Sequence, residues 1–476
     1  MTSSNIPQDL RESYVSSGQG HVFKYVDNGV VKDDEKLNEF ISQLRDIDPV
    51  HVNALYESTM NAPNEASSMS KMEPIESFGS LESSSIEEKE RWFTTGLNAI
   101  TEDKVAVVVL SGGQGTRLGF DGPKGMYDIG LPSGKSLFQL QAERLLRVCE
   151  LASSKMLVHD FRVPWYIMTS PSNDEETREF FASNQYFGMP KNDVFFFSQG
   201  TLPCMDSSGK LILENASKLA FASDGNGGIY PSLKKSGALD DMKRRGVEHL
   251  HVFSIDNALV RVADPYFIGY CIEKEADCGN KSVWKSSPDE KVGVVVKLDG
   301  NPCVVEYSEM NTESCEMQDT NGKLVFGAGN ICNHYFSRLF IEKVVTNMAS
   351  MYHVAHKKIP EATGEYGETT KPLENNGIKL ESFIFDVFPM SKNMVLFEAI
   401  RDEEFAPVKN APGSNSDSPD TAREMISIQA RGWALAAGAQ FSESDNGLCE
   451  ISPLASYGGE GLKKRVGEMM RTPFQL

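Results

Sequence analysis

The chain has 476 residues, 40% hydrophobic and 24% charged, and its 47 Lys and Arg stand against 67 Asp and Glu for a formal net charge of −20. That balance argues against nucleic acid or an anionic membrane surface as partner, while a local basic pocket can still hold an anionic small ligand. The length exceeds what one ordinary core uses, so a large central domain with smaller pieces at its ends is expected.

In chain order, residues 1–85 read as a polar, helical N-terminal segment, with a helix over Asp34–Arg45 and a serine-rich end, MSKMEPIESFGSLESSS. No basic start followed by an apolar core opens the chain and no apolar run approaches a membrane span. A central domain over 86–409 follows. It opens with a helix over Ile86–Ile100 and the apolar strand Val105–Leu110, where a cluster of glycines begins. Ser136 suits the N-cap of an amphipathic helix with apolar residues at 137, 138, 140, 145, 146 and 148. Next come a strand Trp165–Thr169, a helix on DEETREFFASN, a strand VFFFSQ and a hairpin around CMDSSGKLIL. A glycine-rich stretch (Ala222–Tyr230), a helix Leu239–Arg245 and a strand HLHVFSIDN ending at Asp256 complete the first half. This alternation predicts an α/β fold with a mostly parallel central sheet and helices on both faces. The segments VGVVVKL, PCVVEYS and KLVFGAGN predict an antiparallel extension closing over the first half. A small C-terminal domain is expected over 410–476, opening on a polar stretch, NAPGSNSDSPD, typical of a linker or mobile loop.

Eight cysteines without a CxxC pair or zinc spacing read as reduced thiols, which points to the cytoplasm. Asn215-Ala-Ser217 and Asn280-Lys-Ser282 match the glycosylation pattern by chance on this reading.

The glycine cluster, VVVLSGGQGTRLGFDGPKG, lies where an open α/β sheet binds ligands. It is not the dinucleotide fingerprint, because Gly119 comes one residue too late after Gly113 and Gly115. Nor is IGLPSGKS a Walker A loop, since Ile129 stands at its first glycine. What remains, from Gly113 to Lys124, lets backbone N–H groups approach a polyphosphate, with the short Ser111 and the Thr116 hydroxyl compatible. Arg117 can fork across phosphate oxygens and Lys124, placed by Pro123, supplies a point charge. Asp256, at the end of an apolar strand, is placed to hold Mg²⁺, with Mn²⁺ as the alternative, against phosphate oxygens. The DGNGG stretch fails as a calcium loop because Lys235 stands where a bidentate Glu belongs. The eight histidines form no triad or ligand set, so no general-base histidine is expected. Residues alone reach a phosphate-handling α/β enzyme.

The stretch LSGGQGTRLGFDGPKGMYDIGLPSGKSLFQLQAERL resembles the signature of eukaryotic UDP-N-acetylhexosamine pyrophosphorylases, within the wider group of UTP-dependent sugar-1-phosphate uridylyltransferases. The similarity continues through PWYIMTS, SQGTLPCM, SDGNGGIY, SIDNALVRVADPYFIG, VVEYSE, AGNICNHYF, NGIKLESFIFDVF, PVKN and CEISPL, roughly residues 90 to 455. The resemblance implies a Rossmann-like nucleotidyltransferase fold that joins UTP to N-acetylglucosamine 1-phosphate and releases pyrophosphate. It implies that Leu110, Ser111, Gly112 and Gly113 contact the nucleotide with Lys124 near its phosphates, and that Gln199 and Gly225 hold the uracil. Asn226, Glu306, Tyr307 and Asn330 would meet the sugar phosphate, and Phe383 and Phe385, which alternate as strand residues do, would wall the acetyl pocket. Lys379 and Lys409 would return to the phosphates from the far side, and Arg117, Lys124 and Lys409 would be the catalytic cations. Small-molecule substrates, and a monomer or weak homodimer, follow from the same likeness.

Two departures bear on this. An insertion expected from animal relatives is missing between WALAAGAQFSESDNG and CEISPL, and Ser111 stands where the family often has Ala. Glucose 1-phosphate, or a broader set of sugars, is the alternative substrate. A nucleotide-sugar-binding sensor without catalysis is the alternative of another class.

Overall fold

The computed structural model describes residues 6–61, 71–347, 352–442, 445–467 and 469–476. Its backbone gathers into two compact units, one made of Met1–Met69, Gln199–Ile229 and Met348–Asp386, the other of Ser70–Ser198, Tyr230–Asn347 and Val387–Leu476.

The larger unit is built on an eleven-stranded sheet. Its central strand, Val105–Leu110, is buried along its whole length. A continuous apolar run, four of its six residues valine, suits a parallel strand covered on both faces, where a polar residue would be buried without water. It pairs in parallel with Trp165–Thr169 on one side and His249–Ser254 on the other, and Trp165–Thr169 pairs in parallel with Val194–Ser198. Beyond His249–Ser254 the long strand Ala328–Ser337 runs antiparallel, and Cys278–Trp284 runs antiparallel to it in turn. The antiparallel extension is Val294–Leu298 with Asn301–Val305. The strand HLHVFSIDN stops at Ser254, so Asp256 lies in the turn just past its end.

Helices cover the sheet as their caps direct. Ser136 accepts from Gln139 N at the start of Leu137–Met156, and Ser85 with Glu88 forms a capping box on Ile86–Thr101. Ile86–Thr101 lies against Pro265–Glu273 at backbone contact. A Cβ at Gly269 would sit 1.8 Å from the Trp92 carbonyl oxygen, and one at Gly96 would sit 2.1 Å from that of Pro265. Behind this pair, the fully buried Lys281 ammonium sits 2.5 Å from Asp264 Oδ2 and 2.5 Å from Glu404 Oε2. Burial pushes the Asp264 carboxyl up, but Lys281 and Arg261 outweigh it and hold it below the usual range.

Near the C-terminus, the helix Pro419–Ala436 starts with a capping box at Ser418 and Thr421. Residues 410–417 are not an open linker. Lys409 N and Asn410 N both donate to Asp417 O, at 2.7 and 2.8 Å, and Asn410 Nδ2 donates to Ser416 O, so the segment closes on itself. Glu450 accepts from Ser133 N at 2.8 Å and from Ser133 Oγ at 2.6 Å, which fastens this end of the chain to the loop before Leu137–Met156.

The smaller unit combines N-terminal helices with short hairpins. Asp33 and Asp48 cap Asp34–Arg45 and Pro49–Met60, and the Tyr14 hydroxyl donates to Leu44 O inside the helical cluster. The CMDSSGKLIL segment is a hairpin, with Met205 bridged to Leu211, and Met205 also bridges Ile378. The serine-rich segment lies partly outside the described residues.

All eight cysteines are free thiols. Among the described residues no helix is long and apolar enough to cross a membrane. Gly269→Ala places a methyl inside a carbonyl oxygen, so it lowers the unfolding free energy by about 3 kcal/mol, despite alanine's better helix propensity, in urea denaturation.

Candidate active site

In the larger unit, Val105–Leu110 ends in a loop whose shape is set by its own backbone. Lys124 N donates to Gly113 O at 3.1 Å and Gly115 N to Gly122 O at 2.8 Å, so residues 113–124 form a closed loop. Gly119 holds φ +70°, left-handed backbone that a side chain would strain. Gly115 and Gly125 are required by packing, since a Cβ would meet Phe120 at 2.7 Å and Phe138 at 2.2 Å. Gly113 differs: a Cβ there would meet nothing within 4 Å. The protein's own packing does not demand a glycine at 113, and the open space above it suits a ligand brought close to main-chain amides.

Ser111 N and Oγ both donate to Met168 O, at 2.8 and 2.9 Å, so both its amide and its hydroxyl are turned into the sheet. Asn173 was missed in the sequence. Its Nδ2 donates to Ser111 O at 3.0 Å and to Gly113 O at 3.5 Å, which pins the loop from beneath. An asparagine in the turn between the strand Trp165–Thr169 and the helix Asp174–Ser183 reads as a helix cap and carries no local signal for that role.

The charged residues converge on Lys124. Its Nζ donates to Val408 O at 3.3 Å, and Val408 N donates to Asp256 O at 2.9 Å, so the segment ending at Lys409 is laid beside the turn carrying Asp256. Burial pushes the Lys124 ammonium below the usual lysine range. Asp256 pulls it back up, and Lys409 and Arg117 add to the lowering. The side chains of Arg117, Lys409 and Asp256 make no hydrogen bond or ion pair with the described residues. Asp417 stands by with its backbone in the left-handed region, φ +51°. Burial raises its carboxyl above the usual range, and Lys409 opposes this.

Glu306 and Asn330 both lie beside Gly293 in this unit. Val294 pairs with both Val305 and Gly329, and Asn330 N donates to Gly293 O at 2.8 Å. A Cβ on Gly293 would lie 3.1 Å from Glu306 Oε1, so this glycine, which sequence reasoning passed over inside a strand, makes room for the carboxylate. Tyr307 follows with its ring exposed.

In the smaller unit, Gly225 and Asn226 are locked to the segment around Ser382. Ser382 N donates to Asp224 O at 2.8 Å, Gly227 N to Ser382 O at 2.9 Å, and Ile384 N to Asn226 Oδ1 at 2.9 Å. Gly225 has φ +89°, and a Cβ there would lie 2.2 Å from Ser382 O. Gln199 Nε2 donates to Ser223 Oγ at 2.7 Å, beside this turn. Phe383 and Phe385 do not belong to a strand. They sit at the start of the 3₁₀ turn Ile384–Met390, where the Phe383 N–H bonds Asp386 Oδ2 at 2.7 Å instead of a sheet neighbour. Their rings stack 5.0 Å apart, and His353 packs 4.8 Å from Phe383. Lys379 Nζ lies 2.5 Å from Glu381 Oε2, so a phosphate reaching it must exchange with a carboxylate.

Asp224 was read only as part of a glycine turn. Its carboxyl is buried between Gly200 and Gly228, where Cβ atoms would fall 2.4 and 2.2 Å from its oxygens, and Oδ1 has no partner among the described residues. Burial pushes this carboxyl up to about 6.

A metal fits this arrangement in a limited way. No group of three or more ligating side chains occurs among the described residues. A lone uncommitted carboxylate at Asp256, near cationic groups suited to phosphates, matches Mg²⁺, which commonly takes one or two carboxylates and completes its shell with water and phosphate oxygens.

Comparison with known proteins decides the family. The model of the UTP–glucose-1-phosphate uridylyltransferase family matches residues 51–463. The chain belongs to this family. It is 47% identical over 424 residues to a human UDP-N-acetylhexosamine pyrophosphorylase-like protein 1, covering 85% of this chain and 83% of that protein. It is 39% identical to the UDP-N-acetylglucosamine pyrophosphorylase of Saccharomyces cerevisiae, covering 97% of this chain and 98% of that one. The crystal structure of the uridine diphosphate N-acetylglucosamine pyrophosphorylase from Trypanosoma brucei, solved with an inhibitor, superposes with TM-score 0.83 at 31% identity over 98% of this chain and 95% of that one. As in this family of uridylyltransferases, the fold is α/β with a large, mostly parallel central sheet.

Two measurements test the site. Gly225→Ala strains a left-handed turn and drives a methyl into Ser382 O, so uridylyl transfer falls at least about tenfold in kcat/KM, read in steady-state kinetics. Asp224 has a folded pKa above its ordinary 3.8, so its favourable contribution is full below about pH 4 and is lost as pH rises through 6. Relative to wild type, Asp224→Asn therefore gains about 2 kcal/mol between pH 4 and pH 7, measured by denaturant unfolding across that range.

Proposed function

We propose that the chain catalyses UTP + N-acetyl-α-D-glucosamine 1-phosphate → UDP-N-acetylglucosamine + pyrophosphate. The observation that carries this is the crowding of Lys124, Arg117 and Lys409 with Asp256 at the end of the strand and loop described above. Cations held near one another repel, and a polyanion relieves the repulsion while a neutral ligand does not. The names of the human and yeast relatives support an acetylated amino sugar over glucose.

On this reading the backbone at Leu110, Ser111, Gly112 and Gly113 receives the nucleotide, and Gln199 with Gly225 takes the uracil. An oxygen of the sugar phosphate attacks the α-phosphorus of UTP in line, the bond from that phosphorus to the bridging oxygen of the β-phosphate breaks, and pyrophosphate leaves with the electron pair. The attacking oxygen is already an anion at neutral pH, so no general base is called for. The work is positioning and charge neutralisation, because both reactants are anionic. Arg117 and Lys124 offset charge on the triphosphate and leaving group, and Lys409 and Lys379 steady the incoming phosphate. Asp256 holds Mg²⁺, which when bound neutralises phosphate oxygens. Asn226, Glu306, Tyr307 and Asn330 bind the sugar phosphate, and Phe383 and Phe385 wall the acetyl group. The enzyme acts on these small molecules in the cytoplasm as a monomer or weak homodimer.

Lys124→Ala lowers turnover by about 10² or more, on the scale of a single preorganised electrostatic group, measured by pyrophosphate release. The same assay with N-acetylglucosamine, N-acetylgalactosamine and glucose 1-phosphates, with magnesium and then with chelator, tests the rest. The expected outcome is a preference for the acetylated sugars and loss of turnover on chelation. A preference for glucose rejects the acetyl pocket, and tight binding without turnover favours the sensor.

A further inference from the structure

A cavity of about 30 Å³ lies within the larger unit, and no residue of the loop 113–124 lines it. Arg144 of the helix Leu137–Met156, Arg261, Gln429 and Trp433 of the helix Pro419–Ala436, and Ser456 with Tyr457 line it. The charged groups around it are spoken for, with one exception. Arg261 pairs with Glu403 and lies 3.8 Å from Glu404. Glu450, also on the wall, accepts from Ser133 at 2.8 and 2.6 Å. Glu143, next to Arg144 in the chain, accepts from Lys135 at 2.6 Å and Gln139 at 3.0 Å. Arg144 alone among these makes no hydrogen bond or ion pair with any described residue, and its Nη1 is buried without a partner.

A guanidinium does not shed its charge to escape burial as a lysine can, so it needs an acceptor wherever it is withdrawn from water. Burial brings the Arg144 group down to about 10, with Tyr457 and Glu143 opposing, which leaves it a cation at neutral pH. A water needs about 10–15 Å³ of such space, so the cavity takes one or two water-sized particles. It has no room for a nucleotide or a sugar phosphate.

We propose that this cavity is a binding site for one small monovalent anion of the halide class, held by the unpaired Arg144 guanidinium. The anion would tie the helix that follows the glycine loop to the C-terminal helix Pro419–Ala436. Occupancy then stabilises the docking of the C-terminal segment.

Two experiments test this. Crystals of the full chain soaked in bromide, with data at the bromine edge, should show an anomalous peak within the cavity at Arg144. Thermal unfolding with chloride raised against gluconate at constant ionic strength should show a midpoint rising by about 2 °C for wild type. It should not move for Arg144→Met. Lys124→Ala should keep the full response, which separates this site from anion binding at the glycine loop. Density for water alone in the cavity, a wild-type midpoint indifferent to chloride, or an Arg144→Met protein that responds like wild type would each overturn the proposal. If Arg144→Met does not fold, Arg144→Gln replaces it, and the bromide map depends on neither variant.

Discussion

The withdrawal of the Lys124 ammonium from water beside Asp256, Lys409 and Arg117 is the constraint on which the larger unit's site is organised. Asp256 is the carboxylate that draws Lys124 back, and burial works with the other two cations against its charge. A folded chain keeps such an arrangement only when the surrounding backbone over-determines it. Here the closed loop from Gly113 to Lys124, the Asn173 amide beneath it and the Val408–Asp256 hydrogen bond do so. Charge is held in place before any substrate arrives, so little reorganisation is left for the moment of reaction.

Rigid placement of these groups depends on a scaffold with its own buried charge. Lys281, Asp264 and Glu404 form an ionic knot deep behind the sheet, and Glu404 lies just before the segment that ends at Lys409. Such a knot adds little net stability, because desolvation offsets most of its attraction. Its directional bonds do fix where the strand Cys278–Trp284 and the segment 405–409 lie. The buried glycine contact between Ile86–Thr101 and Pro265–Glu273 serves the same end with van der Waals contact in place of charge.

In the smaller unit the governing constraint is steric. Gly225, Gly227 and Gly228 are glycines because Ser382 and the Asp224 carboxyl occupy the space where side chains would be. The DGNGG motif is legible in sequence as a turn, but its purpose depends on residues more than 150 positions away. Phe383 and Phe385 mislead for a local reason. Their spacing reads as strand alternation, and only the hydrogen bond from Phe383 N to Asp386 shows that the chain turns there. The polar stretch after Lys409 reads as a linker for similar reasons, since its closure rests on backbone bonds to Asp417 that no composition reveals.

Local pattern alone determined the central strand, the helices and their caps, the failure of the two common phosphate loops and the candidate Gly, Arg, Lys and Asp residues. Each of these rests on interactions within a few positions of the chain. Tertiary structure decided that Arg117, Lys409 and Asp256 act on Lys124, that Gly293 yields to Glu306, that Asp224 is buried, and that the compact units are each assembled from separated segments. Electrostatic coupling and steric exclusion act through space, and residues far apart in sequence carry no mark of the neighbours that folding will give them.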